Sequence, residues 1–180
     1  MKNVLILLAD GSEELEAVTI INILRRGGVT VTAAGLHGGA LRGSRGIVLT
    51  PDTMLDEALK HDYDMVVLPG GLPGTDHLKA DARVSLLVQQ MNSAGKDVAA
   101  ICAAPSVLAK AGLLDGKHAT CYPTCLDAFP KVILQAGAVV EDGNIITSRG
   151  PGTAMDFALT LLERLAGKVK RQEVEAALVR

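Results

Sequence analysis

The residues best suited to chemistry lie where a short apolar run stops. VAAI at 98–101 is followed by Cys102, and AAPSVLAKAG at 103–112 reads as the start of a helix. The small residues Ala103 and Ala104 permit a tight strand-to-helix turn, as in a nucleophile elbow with Cys in place of Ser and alanines in place of glycines. A thiol at a helix N-terminus is expected to have a lowered pKa, because the helix end carries partial positive charge that stabilises thiolate. The backbone N–H of Ala103 is then free to donate to an oxyanion. The same pattern also suits a buried, inert cysteine.

Two further segments bear on Cys102. LPGG at 68–71 follows an apolar run. Its glycines, Gly70 and Gly71, let the backbone approach a ligand and leave N–H groups open, so Gly71 could supply the other oxyanion donor; glycines after strands are also often only turns. DGSEELE at 10–16 brings three glutamates to the end of the first apolar run. Glu13 and Glu14 are accounted for by the helix dipole. Glu16, deeper in the helix, is not. A carboxyl beside a thiol has a raised pKa through burial and like charge, and can exchange a proton near neutral pH.

The elements that must position these residues alternate. Val4–Leu8, Val29–Ala34, Met65–Leu68 and Val98–Ile101 are short, apolar and bounded by turn signals, as buried strands are. Helices are expected over 13–26, ending in Arg25 and Arg26 before Gly27 and Gly28, over 82–94 with Asp81 as N-cap, over 153–166, and over about 169–178. Val139–Thr147, with Asp142, Gly143 and Asn144 at its centre, reads as a β-hairpin. This alternation predicts an α/β fold with a mostly parallel sheet, helices on both faces and one domain over 1–180. Sites in such sheets form at the carboxyl ends of the strands. The first helix carries Ala17, Val18, Ile20, Ile21, Ile23 and Leu24, more apolar surface than one stripe requires. That predicts burial against its own sheet and against a second copy of the chain.

Composition narrows the function classes. Of 180 residues 48% are hydrophobic, enough for a full core. Trp is absent, Tyr and Phe number two each, and the net charge is -2. Neither base stacking nor a basic field for phosphates is available, so nucleic acid is not an expected partner. The VLILLA run ends at Ala9 before acidic residues, too short for a signal peptide, and nothing reaches the length of a membrane span. Three cysteines without an export signal suit free thiols in a reducing, cytoplasmic setting.

The motifs AICAAP, VVLPGG, GSEELEAV and TSRGPGTAMDFAL, in this order and spacing, resemble the ThiJ/PfpI family from Val4 to about Val179. The resemblance implies a flavodoxin-like three-layer α/β/α sandwich, a homodimer, a nucleophilic and oxidation-prone Cys102, and a protonated Glu16 beside it. Gly71 and Ala103 would supply the oxyanion amides. Arg26 and Arg45 match positions near the family's dimer interface and active-site mouth. Some members place a histidine twenty positions after the cysteine, where this chain has Tyr122. Peptidase-like branches place one directly after the cysteine, where this chain has Ala103, so peptidase or amidohydrolase activity is disfavoured. His37, His61, His77 and His118 match no family motif and are expected in surface or loop positions. Cys121 and Cys125, within TCYPTC, fall short of four metal ligands. Cys121 is either a resolving thiol or a packing residue. The function expected is cysteine-dependent, cofactor-free conversion of α-oxoaldehydes such as methylglyoxal, or of their early adducts, to hydroxy acids. The alternative is a redox sensor or holdase chaperone working through oxidation of Cys102.

Overall fold

The structure is a computed structural model that describes residues 2–180. In chain order the strands and helices are β1 (Asn3–Leu8), α1 (Glu14–Arg26), β2 (Thr30–Gly35), β3 (Leu41–Arg42), β4 (Val48–Leu49), β5 (Thr53–Met54), α2 (Leu55–Ala58), β6 (Met65–Leu68), α3 (Gly74–Ala80), α4 (Ala82–Ser93), β7 (Asp97–Ile101), α5 (Pro105–Lys110), β8 (His118–Ala119), β9 (Ile133–Leu134), β10 (Val139–Asp142), β11 (Ile145–Ser148), α6 (Ala154–Ala166) and α7 (Lys168–Ala177). Seven strands form one sheet in the order β10-β11-β7-β6-β1-β2-β5. All neighbours pair in parallel except β10 with β11, the expected hairpin. The fold is the expected flavodoxin-like sandwich, with a mixed, mostly parallel sheet.

Side chains alternate across a strand, and β1 shows why both faces need cover. Val4, Ile6 and Leu8 point into a cluster with α1 and α6, through Ile20, Leu24, Phe157 and Leu161. Leu5 and Leu7 point into the opposite cluster, with Leu78 of α3, Val88 of α4 and Leu108 of α5. A strand apolar at every position is therefore stable only between two helical layers, each fully buried side chain contributing about 1.5–3 kcal/mol.

Helix α1 begins as its sequence requires. Glu13 is the N-cap and accepts from the Leu15 amide at 3.4 Å, and Arg25 and Arg26 lie in the last turn. Its second apolar side is largely covered within the chain by α6. Where the two helices meet, a Cβ at Gly27 would collide with the Leu162 side chain, so the crossing needs glycine there. Leu15 and Val18 remain about half exposed, at 52% and 46%. The apolarity that predicts a second subunit is thus explained in part by α6, and only this outer pair is left for a partner.

The sheet also sets where a site can form. The chain leaves β1, adds β2 on one side and later returns to place β6 on the other. The carboxyl ends of β1 and β6 therefore flank a topological switch point, where loops diverge and leave a crevice. Strand β7 lies next to β6, so the segments following β1, β6 and β7 converge on one place.

Candidate active site around Cys102

These converging segments are the ones that the sequence singles out. Cys102 directly follows β7 in a left-handed backbone conformation, with φ 65°, a strained state for a residue with a Cβ. The strain is held from both sides: the Cys102 amide donates to the Ser148 carbonyl at 3.0 Å, and its carbonyl accepts from the Tyr122 amide at 2.8 Å. Strand β7 thus ends in a sharp elbow, and α5 starts three residues later with Pro105 at its first position. Cys102 is 8% exposed and lines a cavity of about 360 Å³.

Glu16 reaches the elbow from the first turn of α1. It is fully buried, and its Oε2 accepts from the Gly70 amide at 2.7 Å. Gly70 follows β6 and acts as the spacer between the two reactive groups. A Cβ there would lie 2.6 Å from the Cys102 Cβ and 2.9 Å from Glu16 Oε2, so any side chain would drive the pair apart. Gly71 has φ 91° and packs on the backbone of Gly11, Ser12 and Glu13; this position requires glycine for both conformation and space. The amides of Gly71 and Ala103 both act on the Cys102 sulfur and favour its thiolate.

Burial pushes the Glu16 carboxyl up to about 7, against the Gly70 amide and the Cys102 thiol, which hold it down. The thiol does not follow the expectation of a lowered pKa. Burial, then the charge of Glu16 and its hydrogen bonding, push Cys102 up to about 12, and the Gly71 and Ala103 amides offset only part of this. The helix that was to supply the positive field is only six residues long, and the adjacent carboxylate outweighs it. The two groups are best treated as one coupled pair. Each negative charge opposes the other, so once the pair has lost one proton the second is held more tightly, and a single proton then serves both groups. With that proton on Glu16 the like-charge repulsion vanishes and the carboxyl becomes a donor beside the sulfur. Glu16 Oε1 is buried without a partner of ordinary hydrogen-bond geometry, which is where such a proton would sit.

Glu13 and Glu14 do more than serve the helix dipole. Glu14 is buried and accepts from the amides of Arg45 at 2.9 Å and Ile47 at 3.1 Å. Ser44 Oγ bridges it to Glu13, at 3.1 and 2.8 Å. Burial pushes Glu14 up, but its several hydrogen-bond donors together hold it below the usual carboxylate range. The two carboxylates therefore staple the 43–47 loop against α1. This places Arg45 at the cavity rim, 80% exposed and 3.9 Å from Glu13. The staple escaped a sequence reading because its donors are main-chain amides thirty residues away.

Tyr122 lines the cavity, half exposed, its ring against Gly150. Arg26 does not reach this site. It lies ten residues after Glu16 on the same helix, about 15 Å along the axis, and its Nε donates to Asn22 at 2.7 Å. The correction follows from helix geometry: one chain cannot bring both ends of α1 to one cavity. Cys121 also lies elsewhere than a role beside Cys102 requires. It packs on the cluster across the sheet, whereas Cys125 packs with Cys102 and lines the cavity. His37, His61, His77 and His118 are exposed, as expected.

The sequence matches the DJ-1/PfpI family over residues 2–164. It is 46% identical to Protein dj-1beta of Drosophila melanogaster, over 99% of this chain and 97% of that protein. The crystal structure of Drosophila melanogaster DJ-1beta superposes with a TM-score of 0.96, covering 99% of this chain and 97% of that one. Toxoplasma gondii DJ-1, in a structure described as oxidized, superposes at 0.95 with 37% identity, over 99% of this chain and 98% of that one. A Caenorhabditis elegans relative named glutathione-independent glyoxalase DJR-1.2 is 34% identical over 94% of this chain and 91% of its own length. The sequence motifs, the sheet order and these matches agree, and the chain belongs to the DJ-1/PfpI family.

Proposed function

We propose that this protein converts α-oxoaldehydes such as methylglyoxal, or their early adducts, to hydroxy acids with Cys102 as nucleophile. The observation that carries this reading is geometric: the buried Glu16 carboxyl and Cys102 stand on either side of Gly70 at the strand ends, with the Gly71 and Ala103 amides directed at the sulfur. The thiolate attacks the aldehyde carbon to form a hemithioacetal. The oxyanion is held by the Gly71 and Ala103 amides until it is protonated. Glu16 removes the proton from the former aldehyde carbon and returns it to the neighbouring carbon through an enediol. The product is a lactoyl thioester on Cys102, which water hydrolyses to lactate and free thiol. Arg45 and Tyr122 at the cavity mouth are the candidate groups for holding the substrate. The name of the worm relative supports the reaction class. The test is lactate formation from methylglyoxal by the wild-type protein without glutathione or added cofactor. Turnover in the range of ordinary enzymes supports the reading, and none above buffer sinks it.

The second reading, a redox sensor or chaperone working through Cys102, draws support from the oxidized state named for the Toxoplasma relative. It predicts no methylglyoxal turnover. A peptidase or amidohydrolase has the weakest support, because Ala103 stands where a base would be needed.

We also propose that the protein is a homodimer, joined through the outer face of α1. Leu15 and Val18 there are exposed, as are Ile47 and Val48, at 58% and 55%, in the loop and β4 that Glu14 ties to the start of α1 through the Ile47 amide; these apolar side chains are suited to an interface. Light scattering at micromolar concentration is expected to give about twice the chain mass of 18.7 kDa. A monomer mass would remove the proposal.

A further inference from the structure

We propose that Cys125 is a resolving thiol for Cys102, so that the site cycles through an intramolecular disulfide when it meets a hydroperoxide. Cys102 and Cys125 line one cavity and pack on one apolar cluster, although they lie in different segments of the chain. Their segments are tied together at the reactive cysteine itself. The Tyr122 amide donates to the Cys102 carbonyl at 2.8 Å, and the Cys125 amide donates to the Tyr122 carbonyl at 3.1 Å. Two main-chain hydrogen bonds therefore tie the TCYPTC loop to the elbow, and Cys125 lines the same cavity as Cys102.

The loop can make the approach that a disulfide requires. From Tyr122 to Ala128 it consists of turns and bends, with Tyr122, Pro123 and Thr124 exposed. Thr124 sits at φ 71°, a conformation that a β-branched residue readily leaves. A disulfide needs Cα atoms roughly 4.4–6.8 Å apart, and a turn loop beside the target can close on it without disturbing the sheet. Burial pushes the Cys125 thiol up; the Lys79 ammonium opposes this, while Asp127 and Asp76 add to it. Cys125 lacks the Gly71 and Ala103 amides that act on the Cys102 sulfur and favour its thiolate, so Cys102 is the thiol that meets peroxide first and Cys125 the second partner.

The chemistry balances as follows. The Cys102 thiolate attacks one oxygen of the hydroperoxide, the O–O bond breaks, and the alcohol or water leaves with a proton. Cys102 is then a sulfenic acid. The Cys125 thiolate attacks its sulfur, the S–O bond breaks, and hydroxide leaves as water after taking the proton that Cys125 gave up. Two thiols are oxidised by two electrons, and one hydroperoxide is reduced. An external dithiol reverses the step by exchange. Resolution diverts Cys102 from sulfinic acid, which needs a second peroxide. The inference rests on the same reactive thiol as the proposed catalysis and adds a residue that catalysis does not use.

The test is a several-fold excess of hydrogen peroxide on the protein, quenching with N-ethylmaleimide, and non-reducing tryptic mass mapping. Cys102 falls in peptide 97–110, and Cys121 and Cys125 fall in peptide 118–131. In the wild type, where Cys121 carries one N-ethylmaleimide, and in Cys121→Ser, which carries none, the two peptides are expected joined, two hydrogens lighter than their sum apart from that label, for more than half of the Cys102 lost. Dithiothreitol should separate them. In Cys125→Ser the joined peptide should vanish and peptide 97–110 should gain two oxygens. Wild-type Cys102 oxidised to sulfinic acid with no joined peptide overturns the pairing and leaves Cys102 as a nucleophile. A joined peptide that survives Cys125→Ser and is lost in Cys121→Ser also overturns it. No change at Cys102 in any protein overturns both the pairing and the catalytic reading.

Discussion

Cys102→Ala is expected to remove methylglyoxal turnover by roughly 10⁴-fold or more, with folding intact. Without the sulfur no covalent adduct forms, and what remains is the binding energy of the cavity and its two amides. Cys102→Ser is the more demanding variant. The hydroxyl keeps shape and polarity but ionises far above the thiol, and the pair with Glu16 no longer shares a mobile proton near neutral pH. Its turnover should fall almost as far. Both variants retain the main-chain bonds to Ser148 and Tyr122 that hold the elbow, so their thermal midpoints should lie within a few degrees of the wild type. Lactate formation and melting curves on all three proteins make the check. A Cys102→Ala protein that keeps even a tenth of the activity would move the chemistry to another residue.

How much of this was legible in the sequence depends on the range of each interaction. The buried strands were legible because their signal is local: four to six apolar residues between turns, as at Val4–Leu8 and Met65–Leu68. Helix α4 was legible through Asp81, whose side chain caps it by accepting from the Arg83 amide at 2.9 Å. Helix α3 gave no such signal. It starts at Gly74 after Pro73 and has no side-chain cap, so both of its first residues read as turn. The two-residue strands β3, β4, β5, β8 and β9 are too short for any periodicity.

The site divides in the same way. Cys102 and the two glycines stand at strand ends and announce themselves by local pattern. Glu16 stood out only as a carboxylate too deep in its helix for the dipole to explain, and the structure supplies its partners, Gly70 and Cys102, from strands far along the chain. The direction of the thiol shift was beyond reach. It depends on burial and on one carboxylate brought across the switch point, and neither quantity is visible in the residues around Cys102. Cys125 over Cys121 was likewise a matter of which side of the sheet each thiol meets.

Glu16→Gln is expected to lower methylglyoxal turnover by roughly 10²–10⁴-fold, the usual share of general acid-base catalysis, while the thiol stays reactive. Glutamine fits both demands at this position. Its oxygen can accept from the Gly70 amide as Oε2 does, and its NH₂ takes the place of the unpartnered Oε1, offering a donor beside the sulfur. What it cannot do is release and recapture a proton. Iodoacetamide alkylation of Cys102 should therefore survive in large part. Glu16→Leu removes donor and acceptor together, leaves the Gly70 amide unpaired, and should slow alkylation as well. A stability measurement separates this from simple structural damage. The Glu16 carboxyl moves from an ordinary 4.5 to about 7 in the folded chain. Between those values the unfolded state binds fewer protons, so wild-type stability falls as pH rises through that window and levels off above 7, by on the order of 3 kcal/mol. Glu16→Gln has no proton to lose and should erase most of that slope. Urea unfolding at pH 5 and pH 8, alkylation rates and lactate formation on the three proteins complete the set. If Glu16→Gln turned over methylglyoxal near the wild-type rate, the proton shuttle would pass to Tyr122 or to water, and Glu16 would be left only the task of positioning the sulfur.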